Sequence, residues 1–225
     1  MIRVFKNQEP KFFLNWKKQI KNHAKKPSYA YLSNASNKEI KDKLHIALLE
    51  EQGELCCYCG RKVFPENSHI EHFRPQSRYP DLDVTYGNLH TSCIRWLSKG
   101  SIRHCGHFKD DKFNENLCIS PLEIDCEERF IYTLEGEIWP RDKHDENAKY
   151  MIEILRLNAP TLVGRRKNVL LQTLPPEFLE NTSSEELQSL RTKYQERDSN
   201  GNYQEFRQVF SRYIDQNVSC QQVDS

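Results

Sequence analysis

Cys56-x-x-Cys59 is the feature that most limits what this chain can fold into. Two sulfurs at that spacing on one tight turn suit a tetrahedral metal knuckle, and such a site needs two more ligands from elsewhere. Cys93 and Cys105 are the nearest downstream sulfurs, spaced more widely than a usual second knuckle. A longer closed loop adds little entropy per residue, so the spacing is tolerable. Four thiolates would staple together segments that a plain core would not. The simpler alternative is a set of buried unpaired thiols. Cys57 is an odd neighbour that could replace Cys56, although one turn rarely offers both to a metal. Cys118, Cys126 and Cys220 lack partner spacing and read as ordinary thiols.

Composition makes a staple useful. The chain has 225 residues, 37% apolar, and the core is expected to be thin for that length. Mean hydropathy is −0.82. A bound metal contributes folding energy directly. Net charge is only +1, so bulk charge selects no partner. Residues 1–35 are locally basic, with Arg3, Lys6, Lys11, Lys17, Lys18, Lys21, Lys25 and Lys26 against Glu9 alone. Such an arm can neutralise phosphates or be a solvated helix face. No apolar run of about 18 residues predicts a membrane helix. The opening residues lack the apolar core of a secretory signal. A cytoplasmic protein with reduced thiols and no membrane contact is expected.

The spacing of Ile40, Leu44, Ala47 and Leu48 predicts a helix over 37–52, with Ser36 and Glu39 at capping-box spacing. Residues 56–75 read as a short hairpin. In it, His69-Ile70-Glu71-His72 is a strand that puts His69 and Glu71 on one face. Asn88 to Trp96 reads as the opening of a second helix. Phe130, Tyr132 and Ile138 flank a Glu135-Gly136 turn and predict another hairpin. Beyond it the pattern is helical: Met151, Ile152, Leu155 and Arg156; Leu187, Leu190 and Tyr194 behind Ser183/Glu186; then Phe206, Val209, Phe210, Tyr213 and Ile214. The last stripe is either core or a docking face with aromatic anchors. The tail after Asn217 reads as disordered. The fold class expected is mainly α with a small β-hairpin, in three parts: a basic arm or helix over 1–35, a zinc-stapled core over 36–115, and a hairpin and helical region over 116–225 that docks a partner.

A four-thiolate zinc is closed and performs no chemistry, so a reaction needs a second centre. Glu71-His72, Asn88 and His107 provide one. A carboxylate and a histidine suit a harder divalent ion such as Mg²⁺ or Mn²⁺. A neighbouring histidine off the metal can take a proton from water.

These residues carry a resemblance. CYCG, HIEHFRPQS, YGNL, Cys93 and CGHFK resemble, over about residues 50–112, the HNH (ββα-metal) endonuclease family. The segments LLEEQGELCCYCG, HIEHFRP and ENAKYMIEILRLN resemble, more narrowly, the HNH component of the Septu antiphage system, also attached to some retrons. The resemblance implies a metal-dependent endonuclease cutting nucleic acid, DNA first, in antiphage defence with an ATPase partner (PtuA-like). It implies Cys56, Cys59, Cys93 and Cys105 as structural zinc ligands and Glu71 and His107 as ligands of the catalytic ion. It further implies His72 as general base and Asn88 as the residue that ties down the loop. The family often reads Cys-Asn-x-x-Lys where this chain reads Cys105-Gly106-His107-Phe108-Lys109, so the ligand is displaced by one. His104, His90 and Asp110 are substitutes. His69, Arg74, Arg78 and Lys109 are candidate phosphate contacts. Two alternatives stand beside this: the same site cutting RNA such as tRNA, and a zinc-ribbon binding module without catalysis.

Overall fold

A computed structural model describes residues 1–22, 26–93 and 102–221. Helices α1 (Lys11–Asn22), α2 (Tyr29–Leu32) and α3 (Lys38–Glu51) come first. Strands β1 (Ser68–His72) and β2 (Leu89–Cys93) pair antiparallel, with Glu71 opposite His90 and His69 opposite Ser92. A one-turn helix, α4 (Gly106–Lys109), follows. Strands β3 (Phe130–Tyr132) and β4 (Ile138–Pro140) form a second hairpin. Helices α5 (Glu146–Ile154), α6 (Pro160–Thr173), α7 (Pro176–Glu180), α8 (Ser184–Gln195) and α9 (Arg207–Gln221) complete the order.

Two apolar cores flank the first sheet. The smaller joins Phe13, Trp16 and Ile20 of α1 to Leu44 and Leu48 of α3, and to Ile70 and Leu89 of the strands. The larger runs from Met1, Ile2 and Val4 through the cysteine turn to the second hairpin and α9. Burying these side chains returns roughly 25 cal/mol per Å² of apolar surface removed from water. Buried Glu51 ties the amino-terminal segment to α3. It accepts from Lys6 Nζ at 2.7 Å, Asn7 N at 2.7 Å and Tyr86 Oη at 3.0 Å.

Several expectations need correction. The 56–75 segment is not a hairpin: Leu55 and Lys62 make one isolated bridge around the cysteine turn, and β1 pairs with β2 instead. Residues 89–93 are that strand, not a helix opening; 94–96 lie outside the described residues. Gln52 explains the pairing. Its side chain donates to Thr91 O at 2.9 Å and accepts from Thr91 N at 2.7 Å, so the free edge of β2 is satisfied. The Ser36/Glu39 box does not form; Asn37 precedes α3, and Glu39 pairs with Lys43. The Ser183/Glu186 box does form. The amino-terminal arm is not free. Met1, Ile2 and Val4 are buried, Lys6 is bound to Glu51, and Lys17 and Lys26 pair with Glu9 and Asp81. Lys25 lies outside the described residues.

The aromatic stripe of α9 is core. Phe206, Val209, Phe210 and Ile214 are at most 1% exposed, and Phe210 stacks on Tyr194 of α8. That face therefore cannot be the docking surface. The tail is ordered further than expected, because α9 continues to Gln221 and Val218 is buried. The start of α9 clasps the cysteine turn. Phe206 N donates to Gly60 O at 2.8 Å and Gln208 Nε2 to Cys59 O at 3.0 Å. Gly60 has φ +75, and a Cβ there would sit 2.2 Å from the Gln208 amide, so the turn requires glycine.

Candidate functional site

The cysteine turn, the end of β2 and the start of α4 bring four sulfurs together. Sγ atoms of Cys56, Cys59, Cys93 and Cys105 all lie within 4.8 Å of one another, fully buried. Cys59 and Cys93 are 3.6 Å apart. Zn–S bonds of about 2.3 Å in a tetrahedron put sulfurs roughly 3.8 Å apart, so the cluster fits such an ion. Burial alone would raise the Cys56 thiol, yet hydrogen bonds from Cys105 and its other sulfur neighbours hold it well below the usual range. Burial and the Cys56 sulfur push Cys105 well above it. Burial disfavours thiolates gathered this closely, and a bound cation is what stabilises several of them together. Cys57 is buried outside the set, with its N–H on Thr91 O at 3.1 Å. Cys118 and Cys126 also stand apart, whereas the Cys220 side chain lies outside those described.

On the same strands a second, open site forms. A cleft of about 320 Å³ is lined by His69, Glu71 and His72 of β1, by His107, Asp110 and Asp111 at α4, and by Gln76 and Arg103. Strand alternation places His69 Nε2 3.3 Å from Glu71 Oε2, as the sequence predicts. The His69 and His107 rings lie 4.6 Å apart between centroids. Glu71 is buried, and its Oε1 accepts from Tyr58 Oη and Lys109 Nζ, each at 3.0 Å. Burial would raise the Glu71 carboxyl, but the Lys109 charge and the His69 contact outweigh it and hold it at about 2. It is therefore a carboxylate at any ordinary pH.

Oε2 of Glu71 faces the space beside Gly106. A Cβ at Gly106 would lie 2.2 Å from Oε2 and 2.9 Å from His69 Nε2. Nδ1 of His69 is buried without a partner. A carboxylate oxygen, two imidazoles and a gap kept open by a glycine form a donor set that fits a hard divalent cation. The donors are looser than the sulfurs. Among the described residues only the cysteines bring their ligand atoms within 4.8 Å of one another.

His72 has a fixed tautomer. Its Nε2 lies 2.8 Å from Asp83 O, which can only accept, so Nε2 carries the proton. Nδ1 is thus the basic nitrogen, and Gln76 Nε2 donates to it at 3.1 Å. Burial lowers the His72 pKa, against the raising effect of the Asp83 carbonyl. The Tyr29 ring packs at right angles, 4.5 Å away between centroids. Asn88 ties the following loop to the strand: Oδ1 accepts from Arg74 N at 2.7 Å, and Nδ2 donates to Arg74 O at 3.0 Å and Leu82 O at 3.2 Å.

Lys109 lines the cleft as well. It is 1% exposed and is committed to Glu71 and to His72 O at 3.0 Å. Arg78 donates to Phe113 O, and exposed Arg74 leans on the Phe113 ring. His104 faces the sulfurs, 3.2 Å from Cys105 Sγ, not the cleft. His90 is buried opposite Glu71, and Asp110 lines the cleft. Sequence reasoning missed Tyr58, Gln76, Asp83 and Arg103. None sits in a spacing that announces it; Asp83 acts through its backbone carbonyl.

A closed sulfur cluster and an open carboxylate–histidine cleft, mounted on two antiparallel strands and a short helix, are consistent with an HNH metal fold. No family model matches the chain. Two curated relatives do. A putative HNH endonuclease of retron Vc95 from Vibrio cholerae serotype O1 biovar El Tor is 34% identical over 137 residues, covering 58% of this chain and 62% of that protein. Septu protein PtuB from Bacillus thuringiensis is 32% identical over 139 residues, covering 61% of this chain and 49% of PtuB. Each match spans less than two thirds of the relative's own length. They support an HNH-family protein related to PtuB, as the motifs imply. No described helix is long and apolar enough to cross a membrane.

Proposed function

We propose that this chain is a metal-dependent HNH endonuclease that cleaves phosphodiester bonds, with DNA as substrate, in antiphage defence beside an ATPase subunit. The observation that carries the reading is His72, whose Nε2 is locked on Asp83 O while Nδ1 meets Gln76, both residues lining the cleft with Glu71. The names of the relatives, one an HNH endonuclease of a retron and one a Septu protein, support the nuclease and the defence setting.

Nδ1 of His72 accepts a proton from a water in the cleft, after the Gln76 amide gives up that position. The Asp83 carbonyl stabilises the imidazolium that results, because it accepts from Nε2 throughout. Lys109 keeps Glu71 ionised and holds the His72 backbone. Arg103 is exposed at the rim, placed to meet a phosphate. Glu71 and His107, with His69 adjacent, would hold a Mg²⁺ or Mn²⁺ ion, which supplies charge stabilisation at the phosphate and at the leaving oxygen. Zinc at the four cysteines is structural, fixing β2 and α4 around the cleft.

The decisive assay compares cleavage of plasmid DNA and of total tRNA, with Mg²⁺ and with Mn²⁺, by the chain alone and co-expressed with the ATPase. Metal-dependent plasmid cleavage that His72→Ala abolishes is expected, weak alone and stronger in the complex. Cleavage of tRNA only would replace DNA by RNA. Zinc binding with no cleavage of either would leave a binding module.

A further inference from the structure

Away from the cleft, a cavity of about 400 Å³ opens between the amino-terminal segment, the turn at 124–128, α8 and the first turns of α9. Two of the residues that line it carry buried polar atoms without hydrogen-bond partners, Arg207 Nε and Ser211 Oγ. Arg207 is 4% exposed and Ser211 2%, and their i, i+4 spacing puts both on one helix face. A buried donor left unmade is unfavourable, so two side by side in a lined cavity point to a ligand that satisfies them.

The charges set its valence. Four guanidiniums line the cavity: Arg3, Arg191, Arg207 and Arg212. Arg191 and Arg212 are both committed to Asp215, the latter at 2.8 Å. Arg207 donates through its terminal nitrogen to Glu127 Oε1 at 2.6 Å. Glu128 also lines the wall. Arg3 has the Phe5 ring beneath it at 4.4 Å and no carboxylate partner among the described residues. Four cations against three carboxylates leave one unmatched positive charge, which suits a monoanion and not a phosphate dianion or a polyphosphate. The rim is apolar, with Phe5 57% and Ile124 74% exposed.

We propose that this cavity is a docking site for an acidic peptide segment of a partner protein. One Asp or Glu carboxylate accepts from Arg207 Nε, Ser211 Oγ and Arg3, and a neighbouring apolar side chain covers Phe5 and Ile124. Aromatic and arginine anchors around a desolvated pocket are the usual make-up of such a centre. Cleavage chemistry plays no part, so an inactive chain tests it equally.

The probe is a panel of acetylated tetrapeptides with Asp or Glu scanned through each position among Leu, Phe and Val, titrated calorimetrically into the full chain. An acidic member should bind, and its Asn or Gln counterpart should bind about 10–100-fold more weakly, the worth of a charge-assisted hydrogen bond. Ser211→Ala should weaken the acidic peptide by about 3–10-fold while leaving the thermal midpoint equal or higher, because it deletes an unsatisfied hydroxyl. Arg3→Gln, at a more exposed position, should remove the preference for the acid. No binding by any acidic member, equal binding of acid and amide, or unchanged affinity in both variants overturns the proposal. Inorganic phosphate that competes as tightly as the peptide also overturns it, since the site would then be a simple anion pocket.

Discussion

The sulfur cluster and the carboxylate–histidine cleft share β1, β2 and α4, yet they hold their donors in opposite ways. The cluster is dry and closed: four buried sulfurs within 4.8 Å of one another and clamped from outside by α9. The cleft is open and polar, and its donors stand further apart around a gap that Gly106 preserves. Soft, tightly gathered ligands make a metal part of the fold. Hard, sparse ligands leave coordination positions for water and substrate. The same two strands thus carry two donor sets, and the difference between them lies in donor chemistry and solvent access.

The strongest way to break this contrast is Cys59→Ser. Loss of a thiolate should unfold the region around the turn, lowering solubility and helical circular dichroism, with activity lost as a consequence. Cys57→Ser, one residue outside the cluster, should be mild. A Cys59 variant that folds normally and keeps a full equivalent of zinc would show that these four sulfurs are not the set.

Metal removal sharpens it further. Purified protein should carry about one tightly held zinc, measured by elemental analysis. Gentle EDTA treatment followed by buffer exchange should abolish cleavage without unfolding, and Mg²⁺ or Mn²⁺ should restore it. Full activity in the treated protein without added metal contradicts the assignment of the cleft.

His72→Ala should lower the cleavage rate by roughly 10²–10⁴-fold, the range for a general base. Its thermal midpoint and zinc content should remain near those of the parent. Wild-type cleavage by this variant sinks the role given to Nδ1.

Gly106→Ala should have the smallest effect, about tenfold on rate, as expected for a misplacement of reacting groups. The new methyl would press on Glu71 Oε2 and His69 Nε2 while the sulfurs stay in place. Unchanged metal dependence and unchanged rate would mean that the gap beside Glu71 is not used.

Much of the closed site was legible. CxxC spacing and two later cysteines named four sulfurs that the fold does bring together. The shared face of His69 and Glu71 followed from strand alternation. Strand β2 was illegible because every residue from Leu89 to Cys93 is buried, so no alternation marks it. Lys109 looked like a surface cation; only the fold folds it under Glu71. Phe206 and Phe210 read equally as core or docking face, and packing against the cysteine turn and α8 made them core.

By itself the sequence determined which chemistries are available: soft sulfur at fixed spacing, and a carboxylate beside histidines. Those are properties of residue types and of local period, and both are written along the chain. Tertiary structure decided which nitrogen of His72 is basic, which cation keeps Glu71 charged, and which aromatics are hidden. Each of these depends on a partner distant in sequence, such as Asp83 O for His72 and Lys109 for Glu71. Hydrogen-bond direction and desolvation act over a few ångströms in space, and no spacing along the chain encodes them.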